Sequence, residues 1–379
     1  MSFNFDAPIN RRKTDSIRWD ANPQDVIPLW VADMDFASPP CVVDALSARV
    51  QQGVFGYTHS PTTLPAAIAN YLKEHYAWEV DPSWIVFLPN VVSGLHTAVR
   101  QLTTPNQHVL IPRPVYHHLR LACTQAPRDF TELPLFLEEN RWILPFAQLD
   151  EFTKPTTRLL LLCNPQNPGG TVFTRAELSQ VADFCLANNI LICADEIHAG
   201  LVLDDNKRHI PLASLSKAIA MNTITLMSLN KTFNFPGAGL AWAVAENPLI
   251  RKAMQTDLHS TIADPSLFSY VATQAALEKG EPWRKALIQY LRENHHLVET
   301  RINASNILHF AHSEASYLAW LDCSKLGLAK PQDLFLQHGV HLSPGSQFNE
   351  PKFVRLNFGT QRALLNQALD RMELAVGGR

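Results

Sequence analysis

The sequence predicts an α/β protein whose mostly parallel sheet is covered by helices. Three observations lead there. Short apolar runs alternate with helical segments along the middle of the chain. The runs are apolar at successive positions, as strands buried on both faces must be. Small polar or ionisable residues follow several runs, at the strand ends where open α/β sheets bind ligands. The runs lie at 85–88, 109–111, 159–163, 190–194, 224–227 and 240–245. Helical stretches at 93–102, 116–123 and 175–187 separate several of them.

Composition narrows the class. The chain has 379 residues, 46% hydrophobic and 18% charged, with 26 Pro and 15 Gly. That describes a turn-rich globular protein large enough for two domains. The net charge of -3 carries no long basic or acidic run, which argues against nucleic acid and anionic membrane as partners. No apolar stretch is long enough for a membrane span, and the first residues lack the basic and apolar regions of a signal peptide. Six scattered cysteines, without a C-x-x-C spacing, read as buried free thiols of a cytoplasmic protein, with neither a disulfide set nor a metal site.

In chain order, residues 1–40 are irregular and dotted with proline. Asp33 and Asp35 interrupt an apolar segment, which suggests a functional or strongly paired site; Ser38, before Pro39 and Pro40, suits a helix cap. Helices are expected at 40–51 and 64–76, with a loop around Gly56 and Tyr57. Beyond about 265 the pattern changes. Helices at 283–304, 331–337 and 362–376 and strands at 317–321 and 353–357 indicate a smaller α+β domain. The expected division is 41–265 for the large domain and 1–40 with 266–379 for the small one.

The strand ends carry the chemistry. Lys231 follows the run 224–227, where an amine is partly desolvated and becomes usable as a nucleophile or base. Asn164 and Asn167 stand in the Pro- and Gly-rich turn after 159–163. Asp195 ends the run 190–194, and a buried carboxylate there needs a partner, such as a cationic ring nitrogen. Val92 and Ser93 open a helix whose N–H groups suit a phosphate, and Tyr116 follows 109–111 where it could stack on a planar ring. Each has an ordinary structural role as well: a solvated lysine, a tight turn, a helix cap, core packing. Together with Ser228 they match one cofactor, a pyridine bearing a phenolic oxygen, a phosphate and an aldehyde.

Asn164-Pro-Gln-Asn-Pro-Gly-Gly170, Asp195-Glu-Ile-His198 and Ser228-Leu-Asn-Lys-Thr-Phe-Asn234 carry a resemblance. Over nearly its whole length the chain resembles fold-type I pyridoxal-phosphate enzymes of the aspartate aminotransferase superfamily. Trp30-Val-Ala-Asp-Met-Asp-Phe36, Gly53-Val-Phe-Gly-Tyr57 and Ser316-Tyr-Leu-Ala-Trp-Leu-Asp322 bring it nearest to the MalY/PatB branch of cystathionine β-lyases. The resemblance implies a seven-stranded, mostly parallel sheet and pyridoxal 5'-phosphate as cofactor. It implies that Lys231 binds the cofactor aldehyde as a Schiff base and moves the substrate Cα proton. Asp195 then pairs with the ring nitrogen, Asn167 with the phenolic oxygen, and Tyr116 stacks on the ring. Val92, Ser93 and Ser228 contact the phosphate, His198 lies beside the cofactor, and Tyr57 reaches the phosphate of the neighbouring subunit in a homodimer. Arg355, Ala32 and Tyr57 bind the substrate, Arg355 through its α-carboxylate, and Lys231 or Tyr116 protonates the departing thiolate.

The chain departs from the family pattern at four places. Gly169-Gly170 replaces Thr-Gly, Asn230 stands where serine is common, and Pro236–Gly239 lacks the usual basic phosphate ligand. His198 replaces a tyrosine common in transaminases, which favours the lyase branch. The expected activity is β-elimination from cystathionine or a related cysteine S-conjugate, with no metal. The alternatives are an aminotransferase with the same residues and a regulatory binding protein that keeps the fold.

Overall fold

The structure, a computed structural model, describes residues 3–377, with the side chains of 259–261 outside the description. Seven strands form the main sheet. Their spatial order is Ile85–Leu88, Ala241–Val244, Thr223–Ser228, Leu191–Asp195, Thr157–Cys163, His108–Arg113 and Asp129–Pro134. Ala241–Val244 runs antiparallel to both neighbours, and the other pairings are parallel. The sheet is therefore mostly parallel, and the seventh strand is Asp129–Pro134. Sequence reading missed it because it is an edge strand with the mixed sequence Asp-Phe-Thr-Glu-Leu-Pro, largely half-exposed.

Apolar packing covers both faces. Leu95, Val99, Leu119 and Met254, from helices Val91–Leu102, His117–Gln125 and Pro248–Thr261, pack on one face with Leu159, Leu161 and Leu226. Leu178, Val181 and Ile219, from helices Arg175–Ala187 and Lys217–Met221, cover Leu160, Leu162 and Ile192 on the other. Local signals set these helices. Thr174 and Glu177 form a reciprocal capping box at Arg175–Ala187, and Asn90 caps Val91–Leu102 by accepting from Ser93 N–H. Gly94 lets that second helix approach the sheet: a Cβ there would lie 2.9 Å from side-chain atoms of both Leu88 and Leu226.

A second, four-stranded antiparallel sheet has the order His309–Phe310, Leu318–Asp322, Phe353–Asn357, Ser343–Pro344. The helix Glu281–Asn303 leads into it, one face buried through Leu287, Leu291, Val298 and Ile302. Residues Ile27–Pro28 pair in parallel with Val340–His341 and so bring the N-terminal segment to this part of the molecule. All six cysteines are free, and all but Cys41 are buried. Among the described residues no helix is long and apolar enough to cross a membrane.

The expectation for Ser38 is corrected. Pro39 occupies the N-cap of Pro40–Gln51 with no side-chain cap, and Ser38 Oγ instead donates to Asn234 O at 2.7 Å. The two aspartates are a strongly paired site. Asp35 accepts from Arg11 at 2.9 Å, Trp19 Nε1 at 2.7 Å and Thr360 Oγ1 at 2.8 Å, and forms an ion pair with Arg18 at 3.0 Å. The Arg18 and Asp35 side chains are 0% and 1% exposed. Asp35→Ala therefore leaves the buried Arg18 guanidinium with only its longer pair to Asp33, at 3.4 Å. It should lower the unfolding free energy by about 3–5 kcal/mol, read as a fall in the urea midpoint; a loss below ~1 kcal/mol would show the ion pair to be dispensable.

Candidate active site

The carboxyl ends of the central strands open onto a cavity of about 450 Å³. Its walls come from distant parts of the chain: Trp30–Ala32 from the N-terminal segment, Val92, Tyr116, Asn167, Asp195, His198 and Lys231 from the main sheet and its loops, and Ser343, Gln347 and Arg355 from the second sheet.

Lys231 lies one short turn beyond strand Thr223–Ser228, and its Nζ donates to Ala32 O at 2.6 Å. Burial pulls its pKa down to about 8; Asp33 opposes this and Arg355 adds to it. The amine thus titrates within reach of neutral pH. Asp195 ends strand Leu191–Asp195 and is 3% exposed. The one hydrogen bond to its carboxylate among the described residues comes from Ile197 N–H at 3.2 Å. Burial pushes its pKa up to about 7, helped by Glu196 and opposed by Ile197 N–H and Lys231. Glu196 itself is engaged, accepting from Leu212 N–H at 2.9 Å and pairing with His209 Nε2 at 2.8 Å.

Arg355 projects from strand Phe353–Asn357 and is buried. It donates to Asn167 Oδ1 and to Trp30 O, both at 3.1 Å, and its guanidinium lies 4.8 Å from the Phe348 ring centroid. Nε has no partner among the described residues. Burial lowers the pKa of Arg355 to about 10, so it stays charged at neutral pH. Tyr116 sits at the N-cap of His117–Gln125, and burial raises its pKa to about 12, so it keeps its proton. His198 is 2% exposed with Nδ1 unpartnered among the described residues. Burial, with Lys231 and Arg355 nearby, lowers its pKa to about 3 and keeps it neutral.

Other named residues stand differently. Val92 and Ala32 line the cavity, whereas Ser93, Ser228 and Tyr57 are not among its lining residues. Ser93 spends both its N–H and its hydroxyl on Asn90 Oδ1, at 2.8 and 3.0 Å. Ser228 is buried, donating to Leu240 O and accepting from Asn230 N–H at 3.2 Å. Tyr57 is fully exposed. Sequence reasoning missed His117, Ile197, Ser343 and Gln347 as lining residues. His117 follows Tyr116 directly, so adjacency to a strand-end aromatic could have marked it. Ser343 and Gln347 carry no local signal.

The donor set fits pyridoxal phosphate. Asp195, buried without a cationic hydrogen-bond partner, suits a ring N–H. Lys231, half-neutral near pH 8, suits an aldehyde. Asn167 Oδ1 accepts from Arg355, while its Nδ2 makes no hydrogen bond among the described residues and suits a phenolic oxygen. The start of helix Val91–Leu102, where Val91 and Val92 line the cavity, suits a phosphate. Lys231 and Arg355 are the cations of the described lining. Arg113 and Lys217 pair instead with Glu350 and Glu246.

Comparison with known proteins agrees. Residues 24–372 match the family model "Aminotransferase class I and II". The cystathionine beta-lyase PatB of Bacillus subtilis is 33% identical, covering 98% of this chain and 100% of PatB. The crystal structure of OvoB superposes with a TM-score of 0.97 at 41% identity, with full coverage of both chains. A pyridoxal-phosphate-bound C–S lyase from Staphylococcus hominis superposes with a TM-score of 0.90 at 28% identity, covering 98% of each chain. With its strand-end lysine, buried aspartate and seven-stranded sheet, the chain belongs to the class I and II aminotransferase family, with the fold-type I architecture and pyridoxal 5'-phosphate as its cofactor.

Proposed function

We propose that the protein cleaves the carbon–sulfur bond of an L-cysteine S-conjugate, represented by cystathionine. With one water consumed, the products are a thiol, pyruvate and ammonia. The observation that carries this reading is the convergence of Lys231, Asp195 and Arg355 on one cavity, each with a pKa displaced by burial. The relatives support it: PatB is a cystathionine beta-lyase and the Staphylococcus hominis protein a C–S lyase.

Each residue has a task. Arg355, buried and held by Asn167 and Trp30 O, presents a guanidinium to the substrate α-carboxylate. Ala32 O, which now accepts from Lys231, is an acceptor within reach of the substrate amine. Lys231 Nζ, as the neutral amine, takes the Cα proton. When bound, pyridoxal phosphate accommodates the electron pair left at Cα. Asp195 would hold the ring nitrogen protonated, Asn167 would bond the phenolic oxygen, and His198 and Tyr116 would contact the ring. Val92, Ser93 and Ser228 belong to the phosphate end, Ser93 and Ser228 through the backbone they order. The departing sulfur takes its proton from Lys231 or from Tyr116, which stays protonated to about pH 12.

The reading extends to assembly and place. The cavity lies between a large domain, 41–265, and a small one, 1–40 with 266–379. The exposed Val54, Phe55 and Tyr57 suit a homodimer in which Tyr57 reaches the neighbouring subunit's phosphate site. Six free thiols fit a reducing cytoplasm.

Three measurements test this. With cystathionine and no keto acid, thiol and pyruvate should accumulate together, and Lys231→Ala should lower turnover by about 10²–10⁴-fold or more. Amino transfer to an added keto acid without pyruvate release would overturn the lyase reading. In cofactor-free protein, acylation of Lys231 followed by mass spectrometry should rise with pH to half its maximal rate near pH 8, because only the neutral amine reacts; a midpoint near 10 would refute the desolvated lysine. Sedimentation should give a dimer, and Tyr57→Ala should weaken cofactor binding, by about tenfold for one lost hydrogen bond to a charged group. A fully loaded monomer would refute the shared site.

A further inference from the structure

Away from the cavity, three side chains converge where helix Glu281–Asn303 passes the segment after strand His309–Phe310. His295 and Glu299 stand one helical turn apart on one face of that helix. His312 approaches from the other segment. One ligand atom from each of the three lies within 4.8 Å of the others. Glu299 is 3.9 Å from His295 Nδ1, and its other oxygen accepts from His312 Nδ1 at 3.1 Å. His312 Nε2 in turn lies 3.7 Å from Asp204 Oδ2.

A histidine–carboxylate ion pair accounts for His312 and Glu299 but leaves His295 unexplained. His295 is 6% exposed, yet its Nε2 has no hydrogen-bond partner among the described residues, and its Nδ1 reaches only Glu299 at 3.9 Å. A buried imidazole without a partner is costly. Phe310 and Phe358 hold the ring, with centroids at 5.3 and 5.8 Å.

We infer that His295, Glu299 and His312 form a binding site for a divalent cation of the zinc class. Two imidazoles and one carboxylate are a ligand set that suits Zn²⁺, with water in the remaining position. Closing from the present spacings to about 3.3 Å between ligand atoms, as Zn–ligand bonds near 2.0–2.2 Å require, takes side-chain rotation. A bound ion would tie the segment after strand His309–Phe310 to helix Glu281–Asn303, outside the active cavity. The sequence pointed to no metal because the set is assembled from two separate segments.

The test uses the dimeric or monomeric holoenzyme as purified, stripped of adventitious metal with a chelator. Titration with ZnCl₂ by calorimetry should show one ion per chain and a raised thermal midpoint. Co²⁺ should give the intense visible absorption of a tetrahedral site. Glu299→Gln and, as a second variant, His312→Gln should each weaken Zn²⁺ binding at least tenfold and abolish the midpoint shift, with turnover unchanged in the absence of metal. His118→Gln, which alters the histidines near Tyr116, should leave the titration as it is. Absence of Zn²⁺ binding by the wild type would overturn the inference. So would equal affinity and stoichiometry in whichever of the two ligand variants folds, and so would loss of binding in His118→Gln alone.

Discussion

The backbone carbonyl of Ala32 is the point on which the active cavity closes. It accepts from Lys231 Nζ at 2.6 Å and from Tyr317 Oη at 2.9 Å, one group from just beyond an interior strand of the main sheet and one from beside the second sheet. A carbonyl can serve both only if its own segment is held still. Asn234 Nδ2 donates to Met34 O and Phe36 O and its Oδ1 accepts from Met34 N–H, while Asn357 Nδ2 reaches Val31 O and Asp33 O. Each of these backbone groups would otherwise be polar atoms near a buried cavity without a partner. The clasp thus satisfies the segment and positions the acceptor at once.

Charge in the cavity follows from the same closure. Removing water raises Asp195, lowers Lys231 and keeps Arg355 buried but charged. Desolvation is the first cause in each case, and neighbouring charges modify it. The result is a site whose groups are poorly satisfied by one another, which is what a site that receives a charged ring and a zwitterionic substrate requires. Stability is supplied elsewhere, in the two apolar layers on the main sheet and in the buried Arg18–Asp35 pair that fastens the N-terminal segment.

The division between legible and hidden features has a physical origin. Lys231, Asp195 and Asn167 were readable because Asp195 ends an apolar run and the other two stand in the short turns just after one, and a strand's end is a local event in sequence. The runs themselves were readable because strands buried on both faces must be apolar throughout. The strand Asp129–Pro134 was missed because an edge strand is released from that demand. Ser38 was misread because Asn234, far along the chain, competes for its hydroxyl.

By itself, then, the sequence determined the class of sheet, the strand-end chemistry and, through three motifs, the family and its cofactor. Only the tertiary structure decided that Ala241–Val244 runs antiparallel, that Gln347 and His117 wall the cavity, and that Arg355 meets Asn167 across 188 positions of chain. It alone brought His295, Glu299 and His312 together. Local pattern encodes which residues are buried and where a strand stops. Contact between segments far apart in the chain depends on how whole layers pack, and no short stretch of sequence carries that information.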